Sequence, residues 1–164
     1  MNEREVAGAM HRLELLRKIR IHRMMAVLKM YPGQPRMMEY INAHPGCTQK
    51  KLAQALDITP ASAAASLKRM EKAGLVKRLQ DEKDGRRNCL SLTEKGLSQM
   101  LQGRSNMDGL DREMFQGLSR EDMETFKALC DKMFDNLADD TTKDLNICRL
   151  HKEAENPITI QEEQ

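Results

Sequence analysis

The stretch from Thr48 to Leu92 constrains the fold more than any other part of the chain. Thr48 is placed to cap a short helix over 49–56, with Leu52, Ala53 and Leu56 on one face. Asp57-Ile58 leaves room only for a tight turn. Thr59-Pro60 then supplies an N-cap followed by proline at the first helical position. The helix so begun runs over 60–73 and stops at Gly74, which suits the left-handed residue after a helix. Leu75-Val76-Lys77-Arg78-Leu79 reads as a strand and residues 81–87 as a polar turn. Asn88-Cys89-Leu90-Ser91-Leu92 returns with alternating apolar positions. Two helices joined by a three-residue turn and followed by a hairpin describe a winged helix-turn-helix.

Helices flank this unit. Residues 3–30 carry Val6, Met10, Leu13, Met24, Val27 and Leu28 at helical spacing, and Tyr31-Pro32-Gly33 is expected to end them. A second helix over 34–43 holds Met37, Met38 and Ile41, and His44-Pro45-Gly46 closes it. Thr93 is placed to cap a helix over 94–116 that stops at Gly117. Ser119 and Asp122 form a capping-box pattern at the start of a helix over 120–138. The expected fold is mainly α with a small β-hairpin wing. Residues 1–30 form an N-terminal dimerisation helix, 31–93 the winged helix-turn-helix, 94–150 the C-terminal dimerisation helices, and 151–164 a disordered tail. Dimerisation is expected because the first and last helices carry apolar stripes with no other partner evident in the sequence.

Composition removes several function classes. The chain has 164 residues, enough for one core. No run approaches the roughly 18 apolar residues that span a bilayer, and the charged N-terminus has no signal-peptide stretch, so a cytoplasmic protein without membrane contact is expected. Aromatic residues are 3% of the chain and Trp is absent, which argues against stacking on single-stranded nucleic acid. No phosphate-cradling glycine motif and no nucleophile–base or paired-carboxylate constellation is present, so no enzyme is expected. Charge is uneven. Residues 1–100 hold 19 Lys+Arg and 10 Asp+Glu, a balance of +9; residues 101–164 hold 8 and 15, a balance of −7. The basic half points to a polyanionic partner.

On a helical wheel of 60–73, Ala63, Leu67 and Met70 share the core face. Ala61, Ser62, Ala65, Lys68, Arg69 and Lys72 fall on the other. Small residues at the N-terminal end let a helix sink into a major groove, and longer cations behind them reach phosphates or guanine edges. Lys83, Arg86 and Arg87 crowd the hairpin tip, where an arginine can enter a narrow minor groove. Asp84 is placed to hold Arg86. A solubilising surface helix and a polar turn guarded against edge pairing explain the same residues without a ligand.

Residues 33–96 resemble the core of the MarR family of transcription regulators. The resemblance rests on Gly74-Leu75-Val76 with Arg78, then Asp81-x-Lys83-Asp84-x-Arg86, then Leu92-Thr93-Glu94-Lys95-Gly96, in that order and spacing. It implies a homodimer built from the terminal helices that binds a pseudo-palindromic stretch of double-stranded DNA, usually as a ligand-responsive repressor. It implies that Ser62, Ala65 and Arg69 lie near bases, that Arg86 enters the minor groove, and that Thr48 and Gln49 meet phosphates. Lys83 stands where the family usually has Arg. The recognition helix is also unusually rich in alanine at Ala61, Ala63, Ala64 and Ala65, so direct hydrogen-bond readout is sparse.

The resemblance also implies a small-molecule pocket where the first helices meet the winged domain. Met24, Met25, Met37 and Met38 are its expected lining and Tyr31 its polar anchor, with a small aromatic or phenolic effector as occupant. Ordinary core filling explains each methionine without a ligand. Cys47, Cys89, Cys130 and Cys148 are expected as reduced thiols. Cys47, beside a helix N-terminus, is the first candidate for a redox-sensing alternative of the same fold. His44-x-x-Cys47 and Cys148-x-x-His151 have metal-compatible spacing but sit on distant elements, so neither a metal nor a cofactor is expected. A winged helix used only for protein contacts is the remaining alternative.

Overall fold

The structure is a computed structural model that describes residues 2–80, 88–146, 149–150 and 154. The chain divides into two compact units, Met1–Glu113 and Met114–Gln164. In the first, helix α1 (Glu3–Val27) leads to α2 (Gln34–Ala43), a two-residue strand β1 (Cys47–Thr48), α3 (Gln49–Ala55), α4 (Pro60–Lys72), β2 (Val76–Gln80), β3 (Asn88–Leu92) and α5 (Glu94–Met114). The second holds α6 (Arg120–Leu137).

Start and stop signals act close to where the sequence places them, α5 ending at Met114, just ahead of Gly117, with one clearer exception. Thr48 Oγ1 accepts from the Lys51 N–H at 3.3 Å, Thr59 Oγ1 from the Ser62 N–H at 3.1 Å, and Ser119 with Asp122 closes a full capping box. Gly74 has φ +71°, and Leu75 N–H donates to the Met70 carbonyl, so α4 ends in a Schellman turn. The exception is α1. It ends at Val27, ahead of Tyr31-Pro32-Gly33, through a similar turn in which Lys29 takes φ +51° and Met30 N–H bonds the Met25 carbonyl. A lysine in the left-handed position gives no sequence signal for that stop.

In place of a simple hairpin there is a three-stranded antiparallel sheet in the order β1-β3-β2. Cys47 lies opposite Leu90 and Thr48 opposite Cys89, while β2 pairs from Val76↔Leu92 to Gln80↔Asn88. The core sits between this sheet and α2, α3 and α4. Met38, Ile41, Leu52, Leu67, Met70 and Leu90 are its fully buried side chains. Burying each large apolar side chain of this kind contributes about 1.5–3 kcal/mol. Met30 and Met100 extend the same cluster to the end of α1 and into α5. By contrast, α1 and α6 bury no residue at all.

Candidate nucleic-acid interface

Helix α4 is fixed by its inner face. Ala63, Leu67 and Met70 are fully buried, as their spacing predicts, and Ser66 joins them. Ala61, Ser62, Ala65, Lys68, Arg69 and Lys72 are all exposed on the other side. At the N-terminal end the Thr59 hydroxyl donates to Ser62 Oγ at 2.9 Å. Ser62 therefore keeps its own proton available to donate outward. The basic end of the helix is anchored from behind. Lys95 Nζ donates to the Ala73 carbonyl at 2.7 Å, Thr93 Oγ1 to the Gly74 carbonyl at 2.6 Å, and Thr93 N–H to the Leu75 carbonyl at 3.0 Å. A Cβ at Gly96 would overlap the Leu75 carbonyl oxygen, so glycine is needed for α5 to start this close.

Gln49, at the start of α3, is held from the sheet. Arg78 on β2 donates from Nη2 to Gln49 Oε1 at 3.2 Å and from Nε to Glu71 Oε1 at 2.5 Å. One guanidinium thus ties the first turn of α3 to the last turn of α4. In the sequence Arg78 enters only as part of the family motif and Glu71 not at all, because their role depends on three elements meeting.

The remaining expected site residues fall into separate places. Lys83, Asp84, Arg86 and Arg87 lie outside the described residues. The four methionines lie in different surroundings. Met37 and Met38 are packed core, Met38 with no exposed surface, while Met24 and Met25 are half-buried near the end of α1. Helix α2 turns Met37 and Met38 inward against α3, α4 and the sheet. Tyr31 is 58% exposed, and its ring faces the Arg69 guanidinium, 5.4 Å from the ring centroid. A shallow depression of about 480 Å³ lies elsewhere, along Glu94, Leu97, Ser98, Leu101, Gln102 and Ser105 of α5.

Cys47 is also inward. It is 5% exposed, and burial pushes its thiol above the usual range. A buried, protonated thiol is a poor nucleophile, so the structure does not support Cys47 as the redox sensor. Cys130 is half-buried on α6, and Cys148 and His151 lie outside the described residues. Among the described residues no three His, Cys, Asp or Glu side chains converge as a ligand set, and no helix is long and apolar enough to cross a membrane.

A family model described as MarR family matches residues 30–87. The chain is 37% identical over 97 residues to the transcriptional regulator HosA of Escherichia coli, a match covering 59% of this chain and 72% of HosA. The chain belongs to the MarR family. It is a transcription regulator of the winged helix type, and its relatives are regulators rather than enzymes. The fold is that of solved MarR-family structures. The S. aureus MepR–DNA complex superposes with a TM-score of 0.67 at 26% identity, over 82% of this chain and 96% of that one. S. aureus MepR bound to ethidium bromide gives 0.68 at 25%, over 80% and 96%.

Proposed function

We propose that this MarR-family chain is a cytoplasmic repressor that binds a pseudo-palindromic duplex operator as a homodimer and releases it when a small aromatic or phenolic effector binds. The observation that carries the reading is the outward face of α4. Its small N-terminal residues and basic C-terminal ones stand beside the capped start of α3, on a scaffold that holds both ends rigidly. Ala61, Ser62 and Ala65 enter the major groove, Lys68 and Arg69 meet phosphates or base edges, and Thr48 and Gln49 meet the backbone. From the wing, Arg86 reaches the minor groove, with Lys83 and Arg87 on its flanking phosphates and Asp84 orienting it. The apolar stripes of α1 and α6, which bury no residue within one chain, form the dimer interface.

Two related copies must present their recognition helices about 34 Å apart to occupy successive major grooves. An effector weakens operator binding only if it prefers a dimer with another spacing, since equal affinity for both states shifts nothing. Solved structures of S. aureus MepR bound to DNA and bound to ethidium bromide lend support by analogy to a chain of this fold that takes DNA and a small aromatic molecule. Selection of bound fragments from a random duplex library tests it. Enriched sequences should have two-fold symmetry and half-sites about 10 base pairs apart. Enrichment without symmetry, or no enrichment above bulk DNA, overturns the reading.

A further inference from the structure

We propose that Tyr31 is a positioning residue for Arg69: its ring is a fixed platform that presets the orientation of this recognition-helix guanidinium before DNA arrives. The inference rests on the reading of α4 as the DNA-reading helix. The platform is rigid although its ring is exposed. Met30, just before it, is buried in the core, and Gln34, three residues on, is 2% exposed. Gln34 Oε1 accepts from the Tyr31 N–H at 3.0 Å, and the Gln34 N–H donates back to the Tyr31 carbonyl at 3.1 Å. Pro32 fixes its own φ, and Gly33 takes φ +82° to start α2. The backbone under the ring is therefore pinned on both sides.

The Arg69 stem, by contrast, projects from an exposed helix face with several free torsions. The guanidinium lies 5.4 Å from the Tyr31 ring centroid, within cation–π range, and a planar cation on a planar ring has few orientations left. On this helix the gain matters more than usual. With Ala61 and Ala65 offering only methyl groups on the outward face, Arg69 is one of the few side chains there able to donate hydrogen bonds. Preorganising it removes ordering cost at binding. It also connects the segment after α1 directly to a DNA-reading group.

The test is a double-mutant cycle on duplex affinity, with proton NMR of the free protein beside it. Tyr31→Leu should weaken binding about two- to fivefold, the worth of an exposed cation–π contact. Tyr31→Phe should bind like the wild type, because the ring and not the hydroxyl does the positioning. In an Arg69→Ala background Tyr31→Leu should change nothing further. In the free wild-type protein the Arg69 Cδ protons should be shifted upfield by the ring current, and Tyr31→Leu should abolish that shift. An equal loss from Tyr31→Leu with and without Arg69 would mean that Tyr31 touches DNA itself and would overturn the proposal. Unshifted Arg69 protons would overturn it as well. Wild-type binding with an unaffected Tyr31→Leu variant defeats this proposal alone, whereas a wild-type protein that binds no duplex defeats the DNA reading beneath it.

Discussion

Single residues with similar sequence roles divide sharply between core and surface. The family resemblance implies that Met38 and Tyr31 share one pocket, yet Met38 has no exposed surface and Tyr31 is mostly exposed. Sequence spacing places a methionine on a helix face but does not say whether that face meets a cavity or a neighbouring helix. Met38→Ala should therefore act as a core deletion, costing about 2–5 kcal/mol in urea unfolding. A loss below about 1 kcal/mol would show that the site has room to spare, as a pocket would. A charged substitution such as Met38→Arg reports on burial of a charge and not on effector binding. Cys47 follows the same logic. Its place beside a helix start suggests reactivity, but its side chain is buried in the core beside β3, and burial keeps the thiol protonated.

At the scale of elements, most of the fold is legible in the sequence because its punctuation is chemical. Thr59-Pro60, Gly74, Thr93 and the Ser119–Asp122 pair mark boundaries that the structure reproduces within a few residues. Two features are not legible. β1 has only two residues, too few to show a period, and exists because Gly46 and Cys47 reach the Leu90 carbonyl and strand β3. The stop of α1 depends on Lys29 at positive φ, where composition favours no such turn. The network of Gln49, Arg78 and Glu71 is hidden for a related reason, since its members come from separate elements. Thr93 concentrates the mechanical role of the junction. Its hydroxyl accepts from the Gly96 N–H at 3.0 Å and donates to the Gly74 carbonyl, so it caps α5 and ties down the end of α4 at once. Thr93→Ala should cost about 1–2 kcal/mol of stability by thermal or chemical unfolding. A change within about 0.3 kcal/mol would show that the cap is replaceable by water.

Helices α1 and α6 each carry large apolar side chains on exposed surface. Leu13, Leu16 and Ile19 of α1 and Phe126, Leu129 and Phe134 of α6 are all exposed. Exposed apolar patches of this extent mark interaction sites. With each chain at 18.8 kDa, sedimentation at micromolar concentration should give twice that mass. Removing residues 1–20 should leave a monomer or an aggregate. A well-folded monomer of the intact protein would contradict the proposed assembly. The charge division belongs to the same scale, because it gathers the cations in the half that holds the winged domain and leaves the C-terminal half acidic. Under the proposed DNA reading, that arrangement favours a polyanion at the first unit.

The proposed DNA reading is tested most directly by the salt dependence of duplex binding, read by fluorescence anisotropy on an operator-containing duplex. Neutralising phosphates releases counterions, so log affinity should fall linearly with log salt at about 0.9 unit per phosphate neutralised. Arg86→Ala should lower affinity and reduce that slope by about one unit for each phosphate the side chain no longer neutralises, while sedimentation and unfolding stay as in the wild type. Affinity that does not vary with salt, or an Arg86→Ala variant with unchanged affinity and slope, would contradict it.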